Sequence, residues 1–192
     1  DVNVFENRDA VLIGSGLGLN EQSERYVIDT LKNVKCPLVI DGDALTIVSK
    51  HLDLLKSCSM PIILTPHHGE FKRLCFYNDE LEMVEKVSQF ASEYGVIVVL
   101  KGPNTIITDG NEVYRNITAN KAMATAGMGD VLAGIITSFV GQGYLPKDAA
   151  ILGTYLHGSC GDIIGDNSYT VIPSKLINLI PKVMHEIINE QK

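Results

Sequence analysis

Short apolar runs alternate with amphipathic stretches along most of the chain. Ala10-Val11-Leu12-Ile13 is apolar and closes in Gly14-Ser15-Gly16-Leu17-Gly18, which predicts a buried strand ending in a tight glycine turn. Residues 21 to 34 then predict a helix. Pro37-Leu38-Val39-Ile40-Asp41 predicts a second strand, followed by a short helix near Ala44 to Lys50. Pro61 to Thr65 predicts a third strand, ending at Pro66-His67-His68-Gly69-Glu70. Residues 79 to 94 predict an amphipathic helix, with Leu81, Val84, Val87, Ala91 and Tyr94 on one face at spacings of three and four. Val96 to Lys101 is apolar on both faces, the pattern of a central parallel strand.

The carboxyl-terminal half reads differently. Thr105 to Thr108 and Glu112 to Tyr114 flank Asp109-Gly110, a hairpin signal. After a loop at 116 to 127, Val131 to Val140 and Ala149 to Ile163 are nearly all apolar, so two well-buried helices are expected. A last helix is expected through 174 to 190, with Pro181 as a break or restart. Strands alternating with helices, most without period-two polarity, give an α/β class: a mainly parallel sheet flanked by helices. No repeat or linker interrupts it, and 192 residues suit one domain over 1–192 better than two.

Composition adds exclusions. A net charge of −7 argues against a nucleic-acid binder, which would carry a basic patch. No run is apolar and long enough to span a membrane, and residues 1 to 10 do not read as a signal peptide. Cys36, Cys58, Cys75 and Cys160 lack paired metal or redox spacing and read as small hydrophobes in a reducing, cytoplasmic setting. The Asn116-Ile117-Thr118 sequon reads as coincidence.

In open α/β sheets ligands bind beyond the carboxyl ends of the strands. Four predicted strand ends carry suggestive residues: the glycine turn 14 to 18, Asp41-Gly42-Asp43, His67 with Glu70, and Lys101-Gly102. The glycine turn is not the dinucleotide fingerprint, since its third glycine comes one residue early. Asp41 and Asp43 suit magnesium, a ribose, or a solvated turn with Asp43 capping a helix. His67 and Glu70 suit a ligand, a water around a metal, or a helix cap. Lys101 suits a phosphate or an exposed strand end. Ala126-Gly127-Met128-Gly129-Asp130 is sharper. Its glycines allow backbone amides to converge at a helix start, an anion hole. A carboxylate there repels a phosphate unless it takes a proton from a hydroxyl attacking that phosphate. The bland alternative is that Asp130 caps the helix.

With these residues assembled, the chain resembles the ADP- or ATP-dependent NAD(P)H-hydrate dehydratases of the ribokinase-like superfamily. The matching stretches are LIGSGLG (12 to 18), VIDGDAL (39 to 45), ILTPHHGE (63 to 70), LKGPNTIITDG (100 to 110), NKAMATAGMGDVLAGI (120 to 135) and LHGSCGD (156 to 162). His67 stands where related sugar, vitamin and thiazole kinases usually carry Asn, which favours dehydratase over kinase. Gly42 and the Asn120-Lys121-Ala122 stretch depart from the family wording. Family members also carry elements before the first glycine turn, so the resemblance implies a ribokinase-like fold lacking its amino-terminal part: a trimmed chain, a fragment with a missing partner, or a degenerate relative.

The resemblance implies a reaction. The hydroxyl of the S epimer of hydrated NADH or NADPH is phosphorylated from ADP or ATP, with ADP favoured, and phosphate then leaves to restore the ring. Asp130 is implied as the base. The amides of Gly127, Met128 and Gly129 would hold the phosphoryl group, and Lys101, Gly102, Pro103, Asn104 and Thr105 the AMP part. Gly18 and His67 would contact the hydrated substrate, with Asp130 at the same hydroxyl. Mg²⁺ would bridge the phosphates, and Glu70 would approach it through water. A homo-oligomer is implied as well. The alternatives are a small-molecule kinase of the same superfamily, a non-catalytic nucleotide-binding relative, or an inactive fragment.

Overall fold

The structure is a computed structural model that describes residues 5–75 and 81–189. Six strands form one sheet in chain order: β1 (Val11–Ile13), β2 (Leu38–Ile40), β3 (Ile62–Leu64), β4 (Ile97–Leu100), β5 (Ile106–Thr108) and β6 (Val113–Arg115). The first four run parallel, and β5 and β6 are antiparallel additions at one edge. The mixed sheet flanked by helices is the expected α/β class. Helices α1 (Glu21–Asn33), α2 (Gly42–Val48), α3 (Asp53–Ser57), α4 (His68–Leu74), α5 (Met83–Tyr94), α6 (Met128–Gly141), α7 (Pro146–Gly165) and α8 (Pro173–Asn189) complete it.

Strand residues alternate between two cores, which is why these runs are apolar throughout. Leu38, Ile40, Leu64, Val98 and Leu100 pack with Val27, Leu31, Phe71 and Phe90 of α1, α4 and α5. Val39, Ile63, Val99 and Ile107 point the other way, into Leu132, Ile136, Ala149, Leu156 and Leu176 of α6, α7 and α8. The hairpin between β5 and β6 is closed by Asp109, whose Oδ1 accepts from the amides of Asn111 and Glu112, both at 3.0 Å. Among the described residues no helix is long and apolar enough to cross a membrane.

Several expectations needed correction. The short α3 was not anticipated, because five residues are too few for a periodic signal. The helix expected over 79 to 94 starts at Met83, and residues 79 and 80 lie outside the described residues. α8 runs unbroken through Pro181. The bond that proline cannot donate would have gone to Ile177, which is 50% exposed, so this turn lies on the solvent side of the helix. Residue 190, the last of that predicted helix, lies outside the described residues. α6 starts at Met128 rather than Val131, capped by Gly127 at a φ of 90° that only glycine adopts readily. α7 is less buried than its composition suggests, since Leu152, Tyr155 and Ile163 are exposed.

Candidate active site

Each parallel strand ends on the same rim, and there the chain builds one polar cluster. Asp41 follows β2 and is 2% exposed. Its Oδ1 accepts from the Thr65 hydroxyl at 2.8 Å and from Lys101 Nζ at 2.7 Å. Thr65 ends β3 and Lys101 ends β4, so three strand ends meet at one carboxylate oxygen. The solvated-turn reading of Asp41 is therefore overturned: it is a buried, paired acid, as a carboxylate inside a protein must be. Lys101 is no loose strand end either. Its Nζ also lies 3.9 Å from Glu70 Oε2.

Glu70 and His67 form a reciprocal cap at the start of α4. The amides of Gly69 and Glu70 donate to His67 Nδ1 at 2.9 and 3.2 Å, and Glu70 Oε2 accepts from the His67 amide at 2.7 Å. With Nδ1 accepting twice, the neutral ring carries its proton on Nε2, which faces Glu70 Oε1 at 3.5 Å. The His67 side chain is 56% exposed, so its outer edge faces the rim.

The first turn of α6 closes over this cluster. A Cβ on Gly129 would stand 3.1 Å from Lys101 Nζ and 3.7 Å from Asp41 Oδ2, so the helix start touches the ion pair. Gly127 is the cap, and its φ of 90° turns the chain into the helix. Met128 is buried, and its amide lies 3.3 Å from the Thr125 carbonyl. The second and third helix positions, Gly129 and Asp130, thus present the amides that a helix start leaves without intrahelical acceptors. Asp130 is exposed and lies in the first turn, three residues past the cap, so it is not the helix cap.

The segment after Lys101 is a turn closed by its own threonine. Thr105 is buried, and its hydroxyl donates to the Gly102 carbonyl at 3.0 Å. Pro103 and Asn104 are exposed on the turn, so they face outward and Thr105 does not. Gly18 is held by a contact of its own. Its amide donates to Asp43 Oδ2 at 2.7 Å, which pins the glycine turn to the start of α2. Asp43 is thereby a strut between loops; it does not cap α2, whose cap is Asp41. Asp41 as partner of Lys101, and Thr65 beneath it, escaped the sequence reading, because nothing in their spacing shows which strand ends face each other. His157 lay inside a matched stretch without a role.

Among the described residues no three His, Cys, Asp or Glu side chains gather as a metal cage. The rim instead carries single carboxylates beside one ammonium. That donor set fits magnesium held by one or two carboxylates, water and a phosphate. Glu70 Oε2 accepts from the His67 amide and Oε1 faces His67 Nε2, so the cap already engages both oxygens of Glu70.

Comparisons place the chain among known proteins. A family model described as NAD(P)H-hydrate dehydratase matches residues 2–182. The ADP-dependent (S)-NAD(P)H-hydrate dehydratase of Staphylococcus aureus is 39% identical, over 96% of this chain and 67% of that protein. The bifunctional NAD(P)H-hydrate repair enzyme Nnr of Thermofilum pendens is 36% identical, over 97% of this chain and 37% of that protein. The ADP/ATP-dependent NAD(P)H-hydrate dehydratase of Bacillus subtilis, co-crystallised with ATP and Mg²⁺ and soaked with CoA, superposes at a TM-score of 0.81. It is 31% identical, over 93% of this chain and 66% of that one. The chain thus spans about two thirds of the length of its single-function relatives and little over a third of the bifunctional one.

Proposed function

The chain belongs to the NAD(P)H-hydrate dehydratase family, and from that membership and the rim geometry we propose that it dehydrates the S epimer of hydrated NADH or NADPH at the expense of ADP or ATP. The observation that carries this reading is the contact of the α6 first turn, which holds the free helix-start amides and Asp130, with the Lys101 ammonium at Gly129.

Hydroxide is a poor leaving group and phosphate a good one. Asp130 takes the proton of the ring hydroxyl as its oxygen attacks the terminal phosphorus of the nucleotide. The Gly129 and Asp130 amides and Lys101 meet the charge that develops on the transferring oxygens. ADP leaves as AMP, or ATP as ADP. Phosphate then departs with the carbon–oxygen electron pair, a proton leaves the adjacent ring carbon, and the double bond of NAD(P)H returns. Lys101, Gly102, Pro103 and Asn104 flank the AMP part. Thr105 shapes their turn. His67 and the Gly18 turn line the side where the hydrated ring lies, and Gly127 and Met128 set the course of the helix start.

A phosphate entering this rim meets Asp41, Glu70 and Asp130 against one lysine. Magnesium brought by the nucleotide would supply the missing positive charge, with Glu70 as the residue that would approach it through water. The exposed Leu152, Tyr155 and Ile163 of α7 support association between copies, in a cytoplasmic setting that suits four cysteines outside any disulfide.

The test is recovery of the reduced-nicotinamide absorbance band from hydrated NADH. Recovery with magnesium and only one of ADP or ATP is the expected result and names the donor. Nucleotide binding with no recovery for NADH-hydrate or NADPH-hydrate would overturn the reading.

A further inference from the structure

Asp43 is a half-buried acid that the chemistry above does not use. It stands in the first turn of α2, where a carboxylate ordinarily serves the free amides of its own helix. Here the side chain reaches another loop. Oδ2 accepts from the Gly18 amide at 2.7 Å, a short, charge-assisted bond between residues 25 positions apart. The two loops also meet through their backbones. The Gly14 carbonyl accepts from the amides of Leu17 and Asp43, both at 3.2 Å, and a Cβ on Gly14 would stand 1.8 Å from the Asp41 carbonyl oxygen. From α1, the Ser23 hydroxyl donates to the Leu17 carbonyl at 2.8 Å.

Gly18 itself is bare. A Cβ there would meet nothing closer than 3.8 Å, so open space lies over the residue. Its amide, by contrast, is taken by Asp43. A ligand at this turn therefore meets the open backbone face of Gly18 and not a free N–H donor. The placing of that face depends on Asp43, since a glycine at a φ of 80° is free to turn elsewhere once the bond is gone. Two residues back, Asp41 holds Lys101 Nζ at 2.7 Å. Residues 41 to 43 thus fasten the phosphate side of the rim at one end and the glycine turn at the other.

We propose that Asp43 is a positioning residue for the hydrated substrate: its Oδ2 holds the Gly18 amide and so sets the face of the glycine turn against which the hydrated ring lies. This rests on the dehydratase reading, with the ring at Gly18. Asparagine keeps an oxygen that accepts from the Gly18 amide, glutamate keeps the charge but carries it one methylene further out, and alanine keeps neither.

The experiment measures KM and kcat for hydrated NADH at saturating nucleotide. Calorimetry gives the affinity for hydrated NADH alone, and for ADP and ATP with magnesium. Wild type is compared with Asp43→Asn, Asp43→Glu and Asp43→Ala below the melting temperature of each; if Asp43→Ala does not fold, Asp43→Glu against Asp43→Asn carries the test. Asp43→Ala and Asp43→Glu are expected to raise KM and weaken hydrate binding about tenfold, with kcat and nucleotide affinity within about twofold of wild type, while Asp43→Asn lies close to wild type. Wild-type hydrate affinity in Asp43→Ala or Asp43→Glu overturns the proposal. So does equal loss in Asp43→Asn, or an equal loss of nucleotide affinity, which would mark a general loosening of the fold. A wild type that binds the hydrate but never recovers the reduced-nicotinamide band sinks the dehydratase reading, and hydrate affinities in the expected order then leave the role of Asp43 standing. A wild type that does not bind the hydrate overturns both.

Discussion

Lys101 Nζ lies 2.7 Å from Asp41 Oδ1, a contact between residues 60 positions apart that reaches across the end of β3. The Asp41 side chain is 3% exposed and that of Lys101 is 19% exposed, so neither charge has ready access to bulk water. The pair is both the electrostatic floor of the site and a fastening for three strand ends.

Removing one partner should therefore be worse than removing both. Lys101→Met leaves Asp41 with only the Thr65 hydroxyl and is expected to lower stability by about 3 kcal/mol. Adding Asp41→Asn should recover part of that loss, because the buried charge is gone. Urea denaturation of the two variants and wild type measures the coupling; equal stability of all three would mean that the pair is solvated.

Asp130 is exposed in the first turn of α6 and is not the helix cap, so its replacement should spare the fold. Asp130→Asn is expected to reduce kcat by roughly 10²- to 10⁴-fold, with the melting temperature and the affinity for ADP little changed. Steady-state kinetics beside calorimetry separates the two effects. Turnover near wild type would remove Asp130 from the chemistry.

Gly158 faces the backbone at Thr118, in the segment that runs on through Met123 to the anion-binding turn at Gly127. A Cβ there would stand 2.5 Å from the Thr118 carbonyl oxygen, which is not a flexible side-chain end. Gly158→Ala is expected to destabilise by about 2 kcal/mol and to raise KM for the nucleotide, because the segment at Thr118 must lift. Thermal unfolding and nucleotide kinetics measure both, and an unaltered melting temperature would contradict the packing described.

Acid should weaken the protein in two separate windows. His157 is buried neutral and lowered to about 4 from 6.5, so its contribution is present above pH 6.5 and is lost as the pH falls from 6.5 through about 4. Asp109 is lowered from 3.8 to about 2 by the Glu112 amide first, then by the Asn111 amide and Lys147. Its contribution is present above pH 3.8 and is lost as the pH falls through about 2. Urea midpoints measured against pH should lose the upper step in His157→Asn and the lower step in Asp109→Asn. A single step unaffected by either substitution would refute both assignments.

The strands, the hairpin and the outline of the rim were legible in the sequence because they depend on local signals. Val39, Ile63 and Val99 lie in apolar runs that only a sheet covered on both faces accommodates. Gly127 and Gly129 mark a helix start that can receive an anion, and His67 with Glu70 carries the spacing of a capping box. What remained hidden depends on contacts between distant segments. Spacing alone could not show that Lys101 pairs with Asp41 over Thr65, since that follows from the strand order and parallel register. Nor could it show that Pro181 stays helical, which the turn before it, with Ile177 half exposed on the solvent side, accommodates. His157 looked like one more residue of an apolar helix. Only the tertiary structure shows that the glycines of α7 let Thr118 and Met123 lie directly against the helix. Local periodicity and turn chemistry determine the elements, whereas burial of polar groups, which must find partners wherever the fold supplies them, decides the site.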